Sequence, residues 1–168
     1  MLELINITDE CRVTIEFDDY VPLNVEWKHS QGRYNLPLIY WRTGDIRKSL
    51  IEIGIDSISG VVCSMTLVLS SDNSKRNNIL DMGEVMRGCP VFDISSFNVK
   101  YIDYVQSFSV IVLNNAVLIN FSDEVAFRNV GNNDVVFSFD KEDRLQSITV
   151  CNLSKEDHAK IKRTLNID

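Results

Sequence analysis

Apolar and polar residues alternate through much of this chain, and a period of two restricts what the chain can fold into. In residues 11–17 the odd positions are apolar and the even positions are polar, and residues 23–27 continue the pattern. Because successive side chains of a β-strand point to opposite faces, each segment is typical of a half-buried strand. Residues 60–70 are rich in Val, Thr and Leu, which predicts a further strand.

Tight turns in the second half of the chain predict antiparallel hairpins. Asn114 and Asn115 lie between two apolar segments, and Asn tolerates the positive φ angles that short hairpin turns require. The Gly-Asn-Asn run at residues 131–133 and the charged run at residues 141–144 lie between apolar segments in the same way. The predicted strands of this half are residues 107–113, 117–121, 125–130, 135–139 and 145–151. We expect them to form an antiparallel meander.

Two segments of the first half have less regular patterns. We expect residues 4–7 to pair with the strand at residues 11–17 across a tight turn. Residues 36–41 are apolar but contain Pro37, which has no backbone N–H to donate to a neighbouring strand. This segment is therefore predicted to be an edge strand or an extended entry.

One short internal helix is predicted after residue 42. Thr43 or Asp45 can cap its first turn, and Gly54 can end it. Its buried stripe consists of Ile46, Leu50, Ile51 and Ile53. Residues 71–90 are polar and contain two glycines, so we expect a long loop there, or a loop that encloses one helical turn at residues 79–86.

A second helix is predicted at the carboxyl end of the chain. Ser154 and Asp157 form a near capping box, and the helix is expected to run to about Leu165. A chain of 168 residues is most simply one domain, long enough to bury roughly two-thirds of its unfolded surface. The predicted fold is a single α+β domain over residues 1–168, mostly an antiparallel meander sheet with one short internal helix and a C-terminal helix.

Cysteine usage and hydropathy favour an intracellular, cytoplasmic protein. The first residues have neither the basic region nor the apolar run of a signal peptide, and no apolar segment approaches the length of a membrane span. The cysteines lie far apart and form no Cys-x-x-Cys pair, so we expect free, mostly buried thiols instead of a disulfide framework. They are Cys11, Cys63, Cys89 and Cys151.

Negative charge is concentrated at the start of the chain. Residues 1–27 contain seven acidic residues and one basic residue, a net charge of −6, whereas the whole chain has −7. Nucleic-acid binding depends on Lys and Arg, and an anionic membrane also attracts basic segments, so both classes of partner are disfavoured. An acidic field attracts basic partners, so we expect a basic protein as the partner.

No catalytic, cofactor or metal motif is readable in the sequence. The Gly-x-Ser-x-Gly elbow, the dinucleotide fingerprint and the P-loop are missing, and His29 and His158 do not have zinc-ligand spacing. His158 is expected to face solvent on the C-terminal helix. The sequence therefore predicts neither an enzyme nor a bound cofactor or metal.

Carboxylates that cluster where strands end are the candidate functional residues. Such residues are often solvated turn formers, but beside an exposed tyrosine they can pair with Lys or Arg of a partner. The alternative for Tyr20 is a ring folded onto the core. The candidate partner-binding residues are Glu16, Asp18, Asp19 and Tyr20, with a second set of Asp123, Glu124, Asp140, Glu142 and Asp143 if the sheet brings the two sets together.

One segment carries a family resemblance. The run Leu-Pro-Leu-Ile-Tyr-Trp at residues 36–41, followed by Asp45, Ser49 and Leu50, resembles a segment of some immunity proteins of bacterial contact-dependent growth inhibition systems. In that family a similar run precedes a short helix. The resemblance covers about 15 residues and implies a small acidic α+β protein that is not an enzyme and that binds a cognate toxin domain, commonly a basic nuclease. It transfers no toxin-contact residues.

Three functional hypotheses follow. The first is a cytoplasmic immunity protein that neutralises the C-terminal domain of a basic toxin through its acidic surface. The second is a non-enzymatic structural or assembly protein that acts as a homo-oligomer, since the sequence leaves the oligomeric state open. The third is an enzyme whose site is assembled from residues distant in the sequence.

Overall fold

The computed structural model describes residues 1–9, 12–28, 37–78, 80 and 82–167. Within these residues strands dominate, and the one helix is C-terminal. The strands of the first half are β1 (Leu4–Thr8), β2 (Arg12–Glu16), β3 (Leu23–Lys28), β4 (Leu38–Thr43), β5 (Leu50–Asp56), β6 (Val62–Leu69), β7 (Asn73–Lys75), β8 (Met86–Arg87) and β9 (Cys89–Phe92). The later elements are β10 (Tyr101–Tyr104), β11 (Ser109–Val112), β12 (Val117–Asn120), β13 (Arg128–Gly131), β14 (Val135–Phe139), β15 (Leu145–Val150) and α1 (Lys155–Thr164).

Three sheets make up a mostly antiparallel, mainly β domain. A six-stranded sheet has the order β10-β4-β5-β6-β3-β2, and a seven-stranded sheet has the order β7-β11-β12-β15-β14-β13-β8. β1 and β9 form a separate antiparallel pair. Only the pairs that β4, β11 and β13 make with the short strands at the sheet edges are parallel within the described residues.

Aromatic side chains join the inner faces of the sheets into one core. Trp27 of β3 lies 5.6 Å from Phe137 of β14, measured between ring centroids, so the two large sheets are in direct contact. Phe92 of β9 lies 6.1 Å from the same Phe137 ring. The ring centroid of Trp41, in β4, lies 6.1 Å from that of Phe121, and the two rings are nearly perpendicular at 83°. Most buried apolar residues belong to this single cluster.

The predicted internal helix is wrong, because the segment forms strand β5 and the turn before it. Ile51 and Ile53 alternate with Glu52 and pair across from β4, so the apolar residues meet the core with a period of two. Asp45 does cap a turn, but it is a hairpin turn: its Oδ1 accepts the N–H groups of residues 47, 48 and 49 at 3.1, 2.6 and 2.8 Å. Gly44 has φ 121°, and a Cβ there would lie 2.1 Å from the Ser49 carbonyl oxygen. Only glycine therefore fits this position of the turn.

The position predicted for residues 36–41 is also wrong. β4 lies between β5 and β10 and is therefore an inner strand instead of an edge strand. Pro37 precedes the strand, so its missing N–H costs no ladder hydrogen bond, and its carbonyl accepts the Ser57 N–H at 3.2 Å. Leu36 lies outside the described residues.

The amino-terminal strand pairs with a distant partner. β1 pairs with β9, from Leu4 opposite Phe92 to Thr8 opposite Cys89, and not with β2 as the local pattern predicts. Residue 10 of the expected turn at residues 8–10, and residue 11 at the start of the expected strand, lie outside the described residues. The long-range pairing buries both Leu4 and Phe92 in the core. A local hairpin of β1 with β2 would not bury Phe92 in this way.

All three predicted hairpins of the second half are confirmed, but their order is not a meander. β11 pairs with β12, β13 with β14, and β14 with β15, whereas β15 also lies against β12. The order β12-β15-β14-β13 is that of a Greek key. Every residue of β15 is buried, so a central position suits this strand better than the sheet edge to which a meander would assign it. The strand predicted at residues 125–130 begins only at Arg128.

Residues 71–90 contribute two short strands at opposite edges of the seven-stranded sheet. β7 pairs with β11, and β8 pairs with β13. Leu80 and Leu118 pack on a small buried cluster formed by Ile111, Leu113 and Ala116. Residues 79 and 81 of the alternative helical turn lie outside the described residues, and the described part of 79–86 contains no helix.

The C-terminal helix is confirmed together with its cap. The Ser154 hydroxyl oxygen accepts the Asp157 N–H at 3.1 Å, and the Ser154 hydroxyl donates to the Asp157 carboxylate at 2.6 Å. Ile161 and Leu165 belong to the core cluster, so α1 packs against the core. No helix in the described part of the chain is long and apolar enough to cross a membrane.

The cysteines differ from expectation at one position. Cys63 and Cys151 are free thiols, and burial together with Asp56 raises the pKa of the Cys63 thiol to about 11. Cys89 is disulfide-bonded, so the expectation of a free thiol is wrong there. Cys11 lies outside the described residues.

Phe137 is the core residue whose truncation tests this architecture, because its ring contacts both Trp27 and Phe92. We expect Phe137→Ala to lower the free energy of unfolding by about 3–5 kcal/mol, through lost apolar burial and the cavity that remains. Urea denaturation measures this loss. The control Val99→Ala, at a half-exposed position, should change stability by about 0.5 kcal/mol or less. Equal effects of the two substitutions would contradict the three-sheet core.

Candidate protein-interaction surface

The first predicted set of residues lies where β2 ends and the chain turns toward β3. Glu16 is the exposed last residue of β2, and the Asp18 carboxylate accepts the Tyr20 N–H at 2.8 Å. The Tyr20 side chain is 91% exposed, so the alternative of a ring folded onto the core does not apply. The turn therefore exposes an aromatic ring together with three carboxylates.

This turn is attached to the last turn of α1. The Asp19 Oδ1 lies 3.2 Å from Arg163 Nε and 3.1 Å from a terminal nitrogen of the same guanidinium. The Thr164 hydroxyl donates to the Asp18 carbonyl oxygen at 3.2 Å. Both partners of the Asp19–Arg163 ion pair are well exposed, which makes its contribution to stability small. Arg163 offsets part of the negative charge of the turn.

Asp140, in the second predicted set, has a structural environment. It is 1% exposed, and its carboxylate accepts four hydrogen bonds within the turn between β14 and β15. The donors are the main-chain N–H groups of Glu142 and Arg144, the Arg144 Nε at 2.8 Å and the Gln146 Nε2 at 3.0 Å. Burial opposes ionisation, but these bonds outweigh it and hold the pKa of the Asp140 carboxyl below its usual range.

Arg144 links Asp140 to the exposed carboxylates of the same set. Its guanidinium contacts Glu142 at 2.8 Å and lies 3.7 Å from Glu124, in addition to its bond with Asp140. Asp143, which has φ 59°, pairs with Arg128 at 2.9 Å. The second set is therefore a network of acids and two arginines around one turn.

The structure does not bring the two predicted sets together. The first set follows β2 at one edge of the six-stranded sheet, and no contact within the described residues joins it to the turn between β14 and β15. The acidic excess of residues 1–27 is likewise divided: Glu3 lies beside Arg144, whereas Glu16, Glu26 and Asp19 lie on the paired strands β2 and β3 and in the turn between them.

A loop that the sequence pattern did not identify exposes two large apolar side chains. In the loop at residues 122–127, Val125 is 87% exposed and Phe127 is 72% exposed. They directly follow the exposed residues Asp123 and Glu124 of the second set. The alternation of residues 125–130 suggested a buried strand start, so only the preceding acid pair could have signalled an exposed loop. We call residues 122–127 the acidic-apolar loop.

A cleft opens beside this loop. It has a volume of about 440 Å³, within the size range of ligand pockets. Its lining residues are Met1, Glu3, Tyr104, Gln106, Phe121, Ser122, Glu124, Arg144 and Gln146. The loop contributes Ser122 and Glu124, so the loop and the cleft form one continuous surface. We call this cleft the amide cleft, after its two glutamines.

Both glutamines leave a buried oxygen without a partner. Gln146 donates its Nε2 to Asp140, and Gln106 donates its Nε2 to the Phe121 carbonyl oxygen at 2.5 Å. The Oε1 atoms of both residues are buried and accept no hydrogen bond within the structure. Burial and the charge of Arg144 lower the pKa of the Met1 amino group, and the charge of Glu3 opposes them. The cleft thus contains free acceptors and carboxylates.

The rest of the described chain offers little chemistry of other kinds. No group of three or more His, Cys, Asp or Glu side chains there could hold a metal ion. His158 does not face solvent freely as expected, because its Nε2 lies 3.0 Å from the Leu113 carbonyl oxygen. His29 lies outside the described residues. The arrangement is suited to binding cations and apolar groups.

Comparison with known proteins adds no family to this picture. The sequence matches no protein-family model and no curated protein.

The Asp140 network makes a pH-dependent contribution to stability. The depressed pKa stabilises the fold above the unfolded value of about 3.9, and that contribution is lost as the pH falls through the lower folded-state pKa. Asp140→Asn places an amide against the donors of Arg144 and Gln146, so we expect a loss of roughly 2–4 kcal/mol at pH 7. Urea denaturation from pH 7 to pH 2 should show a gap between the two proteins that narrows below pH 4.

The exposed neighbour Glu142 provides the control, since it contacts the same arginine. Glu142→Gln should cost about 1 kcal/mol or less at pH 7. A gap for Asp140→Asn that stays constant down to pH 2 would contradict the assigned ionisation.

Proposed function

We propose that this chain is a cytoplasmic immunity protein that binds a basic toxin domain, such as a nuclease, and blocks its activity. The observation that carries the proposal is the exposure of Val125 and Phe127 directly beside the carboxylates of Asp123 and Glu124. Exposed large apolar side chains with charged neighbours are typical of protein-binding sites. The net charge of −7 supports a basic partner.

The residues of the family resemblance support the scaffold and not the contact surface. Trp41 is buried in the core, and Asp45 with Ser49 closes the turn between β4 and β5. In this proposal they hold the sheet on which the interaction surface is built. Toxin contact is assigned to the acidic-apolar loop and to the exposed carboxylate of Glu142.

Two kinds of residue contribute differently to binding. Phe127 and Val125 fill an apolar recess of the partner and determine how slowly the complex dissociates. Asp123, Glu124 and Glu142 pair with Lys or Arg at the toxin surface. The turn at Asp18 and Asp19, which follows the edge strand β2, attracts the basic partner at long range and raises the association rate.

Co-expression tests the function directly. The toxin candidate is the C-terminal domain of the protein encoded immediately upstream of this gene. We expect that domain to stop growth when expressed alone, and this chain to restore growth and to form a complex with it. A domain that is not toxic, or toxicity that persists in the presence of this chain, would overturn the proposal.

Substitutions in the acidic-apolar loop identify the contact surface. Val125→Ser combined with Phe127→Ser should weaken toxin binding by about 100-fold or more, because buried aromatic anchors dominate interfaces. The measurement is the Kd from calorimetry. Ile58→Ser, which removes an equally exposed apolar side chain from the turn between β5 and β6, should leave the Kd unchanged. The loop is not the contact surface if both variants bind as the native chain does.

Charge reversal of the first acidic set tests its role in attraction. Asp18→Lys with Asp19→Lys should slow association by about 3- to 10-fold at low salt and reduce the dependence of that rate on salt. The dissociation rate should stay the same. Stopped-flow mixing measures both rates. An unchanged association rate and salt slope would remove this turn from the interaction.

A further inference from the structure

We propose that the amide cleft binds the guanidinium group of an arginine side chain, which the partner protein supplies. For its occupant in the complex this inference rests on the proposed function, but binding of a guanidinium by the cleft can be tested without any toxin.

The buried amide oxygens are the first reason. Gln146 is 4% exposed, and its Nε2 donates both to the Asp140 carboxylate at 3.0 Å and to the Arg144 carbonyl oxygen at 3.3 Å. Those two acceptors fix the orientation of the amide, because the reverse orientation would place oxygen against oxygen. The Oε1 atom is therefore left as an acceptor without a donor. Gln106 is in the same situation, and such buried acceptors call for an incoming donor.

The balance of charge in the cleft selects a cation. Arg144 is neutralised within its own network by Asp140 and Glu142, each at 2.8 Å. Glu124 lies farther from Arg144, at 3.7 Å, and the charge of Glu3 acts on the Met1 amino group. Both carboxylates line the cleft and can also attract a further positive group. An anion would meet both carboxylates and the unpartnered amide oxygens.

The walls of the cleft favour a flat cation. Tyr104 stacks on Trp41 with ring centroids 5.9 Å apart and planes at 26°, and Phe121 makes a T-shaped contact with the same indole. Trp41 is fully buried, so it fixes both aromatic walls. A guanidinium can stack on an aromatic face and offers five N–H donors in one plane, whereas an ammonium is a compact point charge with three. Two carboxylates and two amide oxygens fit the larger set of donors.

Three short peptides test the inference. The probes are acetyl-Gly-Arg-Gly-amide, the same peptide with lysine, and the same peptide with citrulline, which has the shape of arginine without its charge. Two-dimensional 15N NMR follows the backbone amides and the side-chain amides of Gln106 and Gln146. We expect saturable shifts at the cleft with the arginine peptide, and binding weaker by about tenfold or more with the citrulline peptide.

Matched variants locate the site. Glu124→Gln should weaken binding of the arginine peptide by about fivefold or more, since it removes a charge that contacts the ligand. Glu26→Gln makes the same chemical change at an exposed position of β3 and should leave binding unchanged. The NMR spectrum of each variant also reports whether its fold is intact, so a loss of binding is not mistaken for unfolding.

The outcomes are distinct from those of the toxin experiments. Absence of saturable shifts with the arginine peptide would overturn the guanidinium site, and so would a lysine or citrulline peptide that binds as tightly as the arginine peptide. Peptide binding without any toxin complex would overturn the proposed function and leave the site intact. Toxin binding that Phe127→Ser weakens, together with no peptide binding, would do the reverse.

Discussion

The packing of Trp41 against Phe121 and Tyr104 is the contact on which the interaction surface depends. Trp41 extends from β4 toward the seven-stranded sheet, where it meets Phe121 just after β12. A second ring that contacts it, Tyr104, belongs to the edge strand β10, which pairs with β4 residue by residue. One buried indole therefore fixes an edge strand, the end of a central hairpin and two walls of the amide cleft. A substitution at Trp41 would therefore affect the amide cleft by displacing its aromatic walls.

The turn between β14 and β15 supplies the polar half of the same surface. Asp140 is held by hydrogen bonds from Arg144 and Gln146, and Arg144 in turn contacts Glu142 and Glu124. Asp140, which the sequence analysis named as a candidate partner contact, is thus the buried carboxylate that orients the exposed carboxylates through Arg144. Such preorganisation reduces what binding costs, because the side chains at the surface lose less freedom when a partner arrives.

Local patterns predicted the parts of this fold that local interactions determine. The alternation in β2 and β3, the Asn114–Asn115 hairpin and the Ser154 cap are each decided by residues close together in the chain, and the structure contains them. Pairings between distant segments left no such signal. The partner of β1 is β9, and β15 enters between β12 and β14, because these arrangements bury apolar surface on strands far apart in sequence.

Two errors came from patterns that fit more than one structure. The apolar residues Ile46, Leu50, Ile51 and Ile53 have helical spacing, but Ile51 and Ile53 also fit a strand. The segment forms a strand because it pairs with the neighbouring β4. Val125 and Phe127 alternate like the start of a strand, yet β13 begins only at Arg128 and both side chains face solvent. The carboxylates of the candidate site could therefore be named from the sequence. Its exposed apolar residues and its unpartnered amide oxygens could not.

The distribution of charge separates attraction from recognition. Of the acidic side chains of the first 27 residues, Glu3 lies beside Arg144, whereas Glu16, Glu26 and Asp19 lie on the paired strands β2 and β3 and in the turn between them, where they create a local negative field. A field of this kind raises encounter rates with many basic molecules and discriminates poorly among them. Discrimination requires groups that a wrong partner leaves buried and unpaired. In this chain the unpartnered oxygens of Gln106 and Gln146, beside an exposed Phe127, are the groups with that property.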